Sequence, residues 1–226
     1  MTLQFTNLPT DMKIETNAAS PAVVEGAYRS YGKRALDLLL ILATCWFTVP
    51  VVFAIALVVL ATGQSPFYGQ KRIGLDGQVF RMWKLRTMLP RAEERLEEYL
   101  AANPAAREEW DAKQKLKNDP RVTPIGRWLR KSSMDELPQL FNVFNGTMSL
   151  VGPRPMMLDQ REQYDGEAYF KMRPGLTGLW QVSDRHNGDF VGRVAFDEEY
   201  HAKMSFAQDT TILAKTVLVV VRGTGC

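Results

Sequence analysis

Hydrophobic positions are spread very unevenly along this chain. From Leu38 to Ala61 it reads LLLILATCWFTVPVVFAIALVVLA, 24 residues without one charge. A run of about 20 apolar residues is long enough to cross a bilayer, so the pattern predicts a membrane helix. A signal peptide fits poorly, because about 37 polar-leaning residues come first and no small-residue cleavage site follows. Pro50 falls inside the run. Proline removes one helical hydrogen bond and crowds the carbonyl four residues earlier, so a bend is expected there. The two halves, about 35–49 and 51–63, are each too short to cross alone. Arg29, Lys33 and Arg34 precede the run and Lys71 and Arg72 follow it, so both flanks favour the cytoplasmic side. A kinked, re-entrant helix satisfies both flanks; an ordinary spanning helix, the alternative, satisfies one. Asp37, one turn inside, is expected to pair with Lys33 or Arg34.

Elsewhere the pattern is that of a small mixed domain. Residues 1–27 carry Thr, Asn, Ser and Pro without periodicity and read as a loose tail. The stretch 65–88 predicts two short strands around the turn signal Asp76-Gly77. Residues 91–117 are charged and helical, broken at Asn103-Pro104, which predicts a solvated helical pair. Pro138 marks a helix start, with Leu137, Leu140, Phe141 and Phe144 as its expected buried face and Asn145-Gly146 as its stop. A Gly-rich loop follows at 173–182. The last stretch, 196–222, ends in a helix with an apolar stripe and a basic end, suited to docking or to a membrane surface.

Composition narrows the function. The formal charge is only +3, and the basic clusters alternate with acids, which argues against nucleic acid as a partner. Of the two cysteines, Cys45 lies in the apolar run and Cys226 ends the sequence, so no structural disulfide is expected. Neither they nor the two histidines, His186 and His201, have zinc-site spacing. This is the usage of a reducing, cytoplasmic context.

The candidate chemistry sits in SSMDELPQLFNVFNGTMSLVGPRP, residues 132–155. Asp135 and Glu136 precede the helix that Pro138 starts. An acid there can be a plain cap, worth about 1 kcal/mol. A helix N-terminus, with Arg127, Arg130 and Lys131 close by, would also keep a carboxylate ionised, and a positioned carboxylate can attack phosphorus. Two adjacent acids do not suit glycoside hydrolysis, whose carboxyls stand about 5–10 Å apart. A nucleophile beside a magnesium ligand fits better, since Mg²⁺ takes one or two carboxylates when phosphates supply the rest. Gly152-Pro153-Arg154-Pro155 then stiffens the backbone around one guanidinium, a group that forks onto phosphate oxygens. Standing alone it would equally suit an exposed turn.

Several segments in order, KRALDLLL (33–40), YGQKRIG (68–74), FRMWKLRTM (80–88), MDELPQLFNV (134–143), SLVGPRP (149–155) and RPGLTGLWQV (173–182), resemble the bacterial sugar transferases. These are monotopic polyprenyl-phosphate phosphoglycosyl transferases, and the likeness covers about 30–222. It is nearest to the short members that start exopolysaccharide of the succinoglycan type with galactose-1-phosphate. The resemblance implies that an enzyme carboxylate attacks the β-phosphate of a UDP-sugar, releases UMP, and passes the phospho-sugar to undecaprenyl phosphate. It implies Asp135 as nucleophile, Glu136 as a further catalytic residue and Mg²⁺ ligand, and Arg154 as the phosphate-binding arginine. Lys84 and Arg130 match basic positions near the site, and Arg185 a nucleotide contact. Pro50 becomes the kink of a re-entrant membrane helix. Val49 stands where the family often has a small hydroxyl residue, with Thr48 one position earlier, and Ser183-Asp184-Arg185 replaces the usual Asn-Gly-Arg.

The expected architecture is therefore α+β and predominantly helical: a flexible tail (1–29), a proline-kinked re-entrant helix (30–64), and a compact cytoplasmic catalytic domain (65–226) with an interfacial C-terminal helix. Expected partners are a UDP-sugar, undecaprenyl phosphate and inner-membrane lipid at the cytoplasmic face, with no nucleic acid and with a homodimer left open. Glucose or an N-acetylhexosamine as the sugar, and a non-catalytic membrane scaffold, are the rival readings.

Overall fold

The computed structural model describes residues 26–113, 116–183 and 192–222. Most of the expected tail, residues 1–25, lies outside these, as do Arg185 and Cys226. After a π-helical turn at Tyr28–Gly32, helix α1 runs from Lys33 to Ala61 and passes through Pro50 as one element. Its exposed side chains include Leu39, Leu42, Trp46, Phe47, Val49 and Phe53. Only 6% of its most apolar window is buried. A helix apolar on all sides belongs in a protein core or in lipid, and such exposure excludes the core. α1 is thus long and apolar enough to cross a membrane.

The polar residues at the start of α1 tie it to the rest of the molecule. Lys33 Nζ donates to Asp209 Oδ2 at 2.7 Å and to the Tyr200 hydroxyl at 2.9 Å. The Tyr28 hydroxyl donates to the same Asp209 oxygen at 2.6 Å. Arg34 donates to the Val143 and Phe144 carbonyls at 2.5 and 2.8 Å. The expected pairing of Asp37 with Lys33 or Arg34 does not occur. Asp37 is buried and accepts from the Ser149 hydroxyl (2.8 Å) and the Leu150 amide (3.0 Å). The reason is reach: both cations find partners on other elements, whereas the shorter Asp37 points into the body.

Strands β1 (Phe67–Ile73) and β2 (Val79–Leu85) form the expected antiparallel hairpin, with Phe67 opposite Leu85 and Ile73 opposite Val79. Asp76 (φ 55°) and Gly77 (φ 73°) make its turn. Helices α2 (Ala92–Ala102) and α3 (Pro104–Lys113) are the charged pair, broken at Asn103. They close on a small core of their own around Leu96, Leu100 and Leu116, with Trp110 packed against it. Helix α4 (Pro124–Lys131) is N-capped by Thr123, whose hydroxyl accepts from the Gly126 amide at 2.9 Å. Helix α5 (Gln139–Phe144) ends at Asn145 and Gly146, the latter at φ +86° where a side chain would be strained. Strands β3 (Ser149–Val151) and β4 (Gly175–Thr177) pair in parallel. Helices α6 (Arg193–Lys203) and α7 (Phe206–Arg222) follow.

The main core gathers Ile41 of α1, Met82 of β2, Val143 of α5, Val151 of β3, Tyr200 of α6 and Ile212 of α7. A second cluster, Ile73, Met156, Tyr164 and Tyr169, lies at the far end of β1. The fold is α+β and mainly helical, as expected.

The expected buried face of α5 is wrong in its aromatic half. Leu137 and Leu140 are partly covered, but Phe141 and Phe144 are 59% and 52% exposed, and Gln139, Asn142 and Val143 are buried. Asn142 explains the rotation. Its side chain accepts from the Trp83 amide at 3.0 Å and donates to the Arg81 carbonyl at 2.8 Å. Hydrogen bonding to β2 thus outweighs burying two phenyl rings, whose apolar surface a membrane can cover instead.

Candidate active site

After α4 the chain turns through Ser133 in the left-handed region (φ +55°), unusual for a residue with a side chain. This reversal places Met134–Glu136 in a single 3₁₀ turn. Asp135 is buried and Glu136 partly exposed. Neither the 3₁₀ turn nor α5 is capped by a side chain, so the plain capping role is not the one taken. Lys84 of β2 donates to Glu136 Oε1 at 2.6 Å. Because Asn142 grips the backbone of Arg81 and Trp83, α5 sets the position of Lys84 as well. Arg130, in the last turn of α4, donates from Nε to the Thr87 hydroxyl at 2.9 Å.

The cationic surroundings differ from expectation. Arg127 and Lys131 point to solvent on α4 and stay out of the cleft, while Arg130 enters it. Asp135 is not held more acidic than usual: burial pushes its carboxyl up, Glu136 adds to this, and Lys84 and Arg130 oppose it. Glu136 is the one held below the usual range. Burial pushes it up as well, but Lys84, Arg154 and Arg72 together prevail. Two neighbouring acids are thus driven apart, one firmly anionic and one the more basic.

Gly152 explains how Arg154 reaches this site. A Cβ at Gly152 would fall 2.4 Å from the Arg173 carbonyl oxygen, so only glycine lets the β3 exit lie against the β4 entry. The Pro-Arg-Pro turn that follows projects Arg154 into the cleft.

Asp135, Glu136, Lys84, Arg130 and Arg154 all line one cleft of about 1630 Å³. The fold thereby brings together five of the six expected catalytic and phosphate- or nucleotide-binding residues; the sixth, Arg185, lies outside the described residues. The cleft is also lined by mainly apolar side chains of two helices, Phe47 and Val51 of α1 and Leu213 and Leu218 of α7, with Lys215 and Thr216 of α7 among them. Thr48, two residues before Pro50, also lines it. Residues that pattern reasoning passed over are Asn142, Gln70, Arg72, Trp180 and Arg193. Asn142 did leave a signal, a polar residue between apolar ones in LFNVF. Arg193 left none.

A magnesium ion is compatible with the donor set. Among the described residues no group of three or more His, Cys, Asp or Glu could hold a metal. Two adjacent carboxylates suit an ion whose remaining ligands are water and substrate phosphate. Lys84 occupies only one oxygen of Glu136.

The family model described as bacterial sugar transferase matches residues 28–223. The exopolysaccharide production protein ExoY of Rhizobium meliloti is 46% identical over 92% of this chain and 96% of its own length. The UDP-galactose-lipid carrier transferase of Erwinia amylovora is 46% identical over 85% of this chain, which spans 41% of that longer protein. The undecaprenyl-phosphate galactose phosphotransferase of Salmonella typhimurium is 44% identical with the same coverage.

Proposed function

As the chain belongs to the bacterial sugar transferase family, we propose that it transfers a sugar-1-phosphate from a UDP-sugar to undecaprenyl phosphate. UMP is released, and the product is the first lipid-linked intermediate of an exopolysaccharide. Galactose-1-phosphate is the preferred group, because two relatives that are 46% and 44% identical carry galactose in their names. The observation that carries the reading is the mixed lining of the cleft. One part presents a carboxylate pair among Lys84, Arg130 and Arg154; another is lined by mainly apolar side chains of α1 and α7, with Lys215 among them. Few reactions need both parts, and transfer of a phosphate group to a lipid does.

In the proposed mechanism a carboxylate oxygen of Asp135 attacks the sugar-bearing phosphorus. The new O–P bond forms as the bridging bond to the nucleotide breaks, and UMP leaves with the electron pair. Lys84, Arg130 and Arg154 balance the negative charge on the diphosphate oxygens. An oxygen of the lipid phosphate then attacks the same phosphorus and frees the Asp135 carboxylate. Splitting the transfer lets one anion depart before the next approaches. Glu136 would hold magnesium, which neutralises diphosphate charge when bound.

A re-entrant course for α1 at the cytoplasmic face of the inner membrane belongs to the same proposal, and the fold supports it. The start of α1 is tied to the body through Lys33 and Asp37, and the hairpin after it is tied to the same body through Asn142. Ile41 and Met82 even share one core. Between α1 and β1 lie only residues 62–66, which reach at most about 18 Å. A spanning helix would strand β1 across roughly 30 Å of hydrocarbon from the body it packs on.

The test is an assay of the purified chain with undecaprenyl phosphate and, separately, UDP-galactose, UDP-glucose and UDP-N-acetylglucosamine. UMP should appear fastest with UDP-galactose. Release with another sugar alone would overturn the sugar, and no release with any would overturn the reaction.

A further inference from the structure

A second, smaller cleft of about 210 Å³ adjoins the first, and the two share Arg154 and Trp180. Its walls bring together Arg72 near the end of β1, Arg154 from the Pro-Arg-Pro turn and Arg193 at the start of α6, with Gln160 also in the lining. Among the described residues, no carboxylate lines it. Arg193 is buried, donates to the Arg154 carbonyl at 2.7 Å, and has Asp197 as its counter-charge. Arg72 makes no direct ion pair among the described residues. It donates to two neutral groups, Gln70 Oε1 at 2.7 Å and the Pro155 carbonyl at 3.2 Å, and its buried Nε has no hydrogen-bond partner. Burial first, then repulsion from Arg154, push its pKa down to about 10, with Tyr169 and then Asp159 opposing more weakly.

Guanidinium groups gathered in a part-buried cleft repel one another and lose hydration, and an anion offering several oxygens removes both costs. The cleft is smaller than the roughly 300–1,000 Å³ typical of a whole small-molecule site, so it suits one phosphate rather than a complete nucleotide. Its location decides whose phosphate. None of its lining residues comes from α1 or α7, the helices that supply the mainly apolar lining of the large cleft. Arg72 stands five residues beyond Phe67, about 17 Å along the strand from the end nearest α1. An anion reaches this place from water, not from lipid.

We propose that Arg72, Arg154 and Arg193 form a second phosphate subsite that holds the nucleotide-side phosphate of the sugar nucleotide while Asp135 attacks its neighbour. The subsite rests on the reaction proposed above. As the bridging P–O bond breaks, its electron pair stays on the nucleoside monophosphate, and the arginines are placed to take up that added charge. Arg193 and Arg72 also donate to the carbonyls of Arg154 and Pro155, so the same two residues set the turn that aims Arg154.

The experiment uses the full chain in detergent and follows three quantities: UMP affinity by calorimetry, KM for UDP-galactose, and KM for undecaprenyl phosphate. Arg72→Gln should weaken UMP binding and raise the UDP-galactose KM about tenfold or more, with the lipid KM within about twofold. Arg72→Lys keeps the charge but not the fork, so it should show a smaller loss of the same kind. It also decides the matter if Arg72→Gln melts early. Unchanged UMP affinity in a folded variant overturns the subsite. A raised lipid KM with intact UMP binding assigns the cleft to the lipid phosphate and overturns the nucleotide assignment. Wild type that binds UMP through Arg72 yet releases none from any UDP-sugar refutes the reaction and leaves the arginine cleft standing.

Discussion

Asp135 and Glu136 are neighbours in sequence and opposites in environment. Glu136 faces Lys84 at 2.6 Å and stays firmly anionic, whereas burial holds Asp135 above the usual carboxylate range. A more basic carboxylate is the better nucleophile, which favours Asp135 for attack and Glu136 for charge or metal. Asp135→Asn keeps the shape and, since Asp135 caps no helix, should leave the melting temperature close to wild type. Turnover should fall on the order of 10⁴-fold or more. With UDP-sugar and no lipid acceptor, wild type should gain the mass of one phospho-hexose on the peptide that holds Asp135, and Asp135→Asn should not. Substantial turnover in the variant would return the acid to a structural role.

At the scale of elements, the join between α1 and the catalytic body depends on very few polar contacts. Asp209, 1% exposed, receives Tyr28, Lys33 and Tyr200 at once. Breaking one side of a buried ion pair costs about 3–5 kcal/mol, because the remaining charge stays desolvated. Lys33→Met should therefore lower the melting temperature in detergent by several degrees. It should also expose the start of α1 to protease before the β1–β2 hairpin is cut, since that hairpin is held independently through Asn142. A variant as stable as wild type would mean that the two tyrosine hydroxyls suffice for Asp209.

For the whole molecule, the proposed reaction requires soluble and lipid substrates to meet in the one cleft that α1 and α7 border. The re-entrant course predicts that both ends of α1 lie on one side of the membrane. With Cys45 and Cys226 replaced by serine, single cysteines at Tyr31 and Ser65 should both react with an impermeant maleimide in inside-out vesicles. Neither should react in right-side-out vesicles. Labelling of one position in each orientation would establish a spanning helix instead.

What the sequence determined by itself is what acts locally. The uncharged run of α1, the Asp76-Gly77 hairpin turn, the break at Asn103-Pro104 and the stop at Gly146 each follow from a property of the residues present, whatever surrounds them. The acid pair and the Pro-Arg-Pro turn were legible for the same reason, as unusual chemistry within a few residues. The tertiary structure decided the pairings. Asp37 bonds to β3 and not to the lysine one turn away, because partners more than 100 residues off in sequence come closer in space. α5 turns its phenyl groups outward because Asn142 finds the backbone of β2. Arg72 and Arg193 stand 121 positions apart in a chain rich in arginine, and no local pattern distinguishes them from solvated charges. Only the packing of β1, the Pro-Arg-Pro turn and α6 around a shared cleft makes them neighbours. Charge acts through space at a distance of a few ångströms, and the order of residues along the chain does not contain that distance.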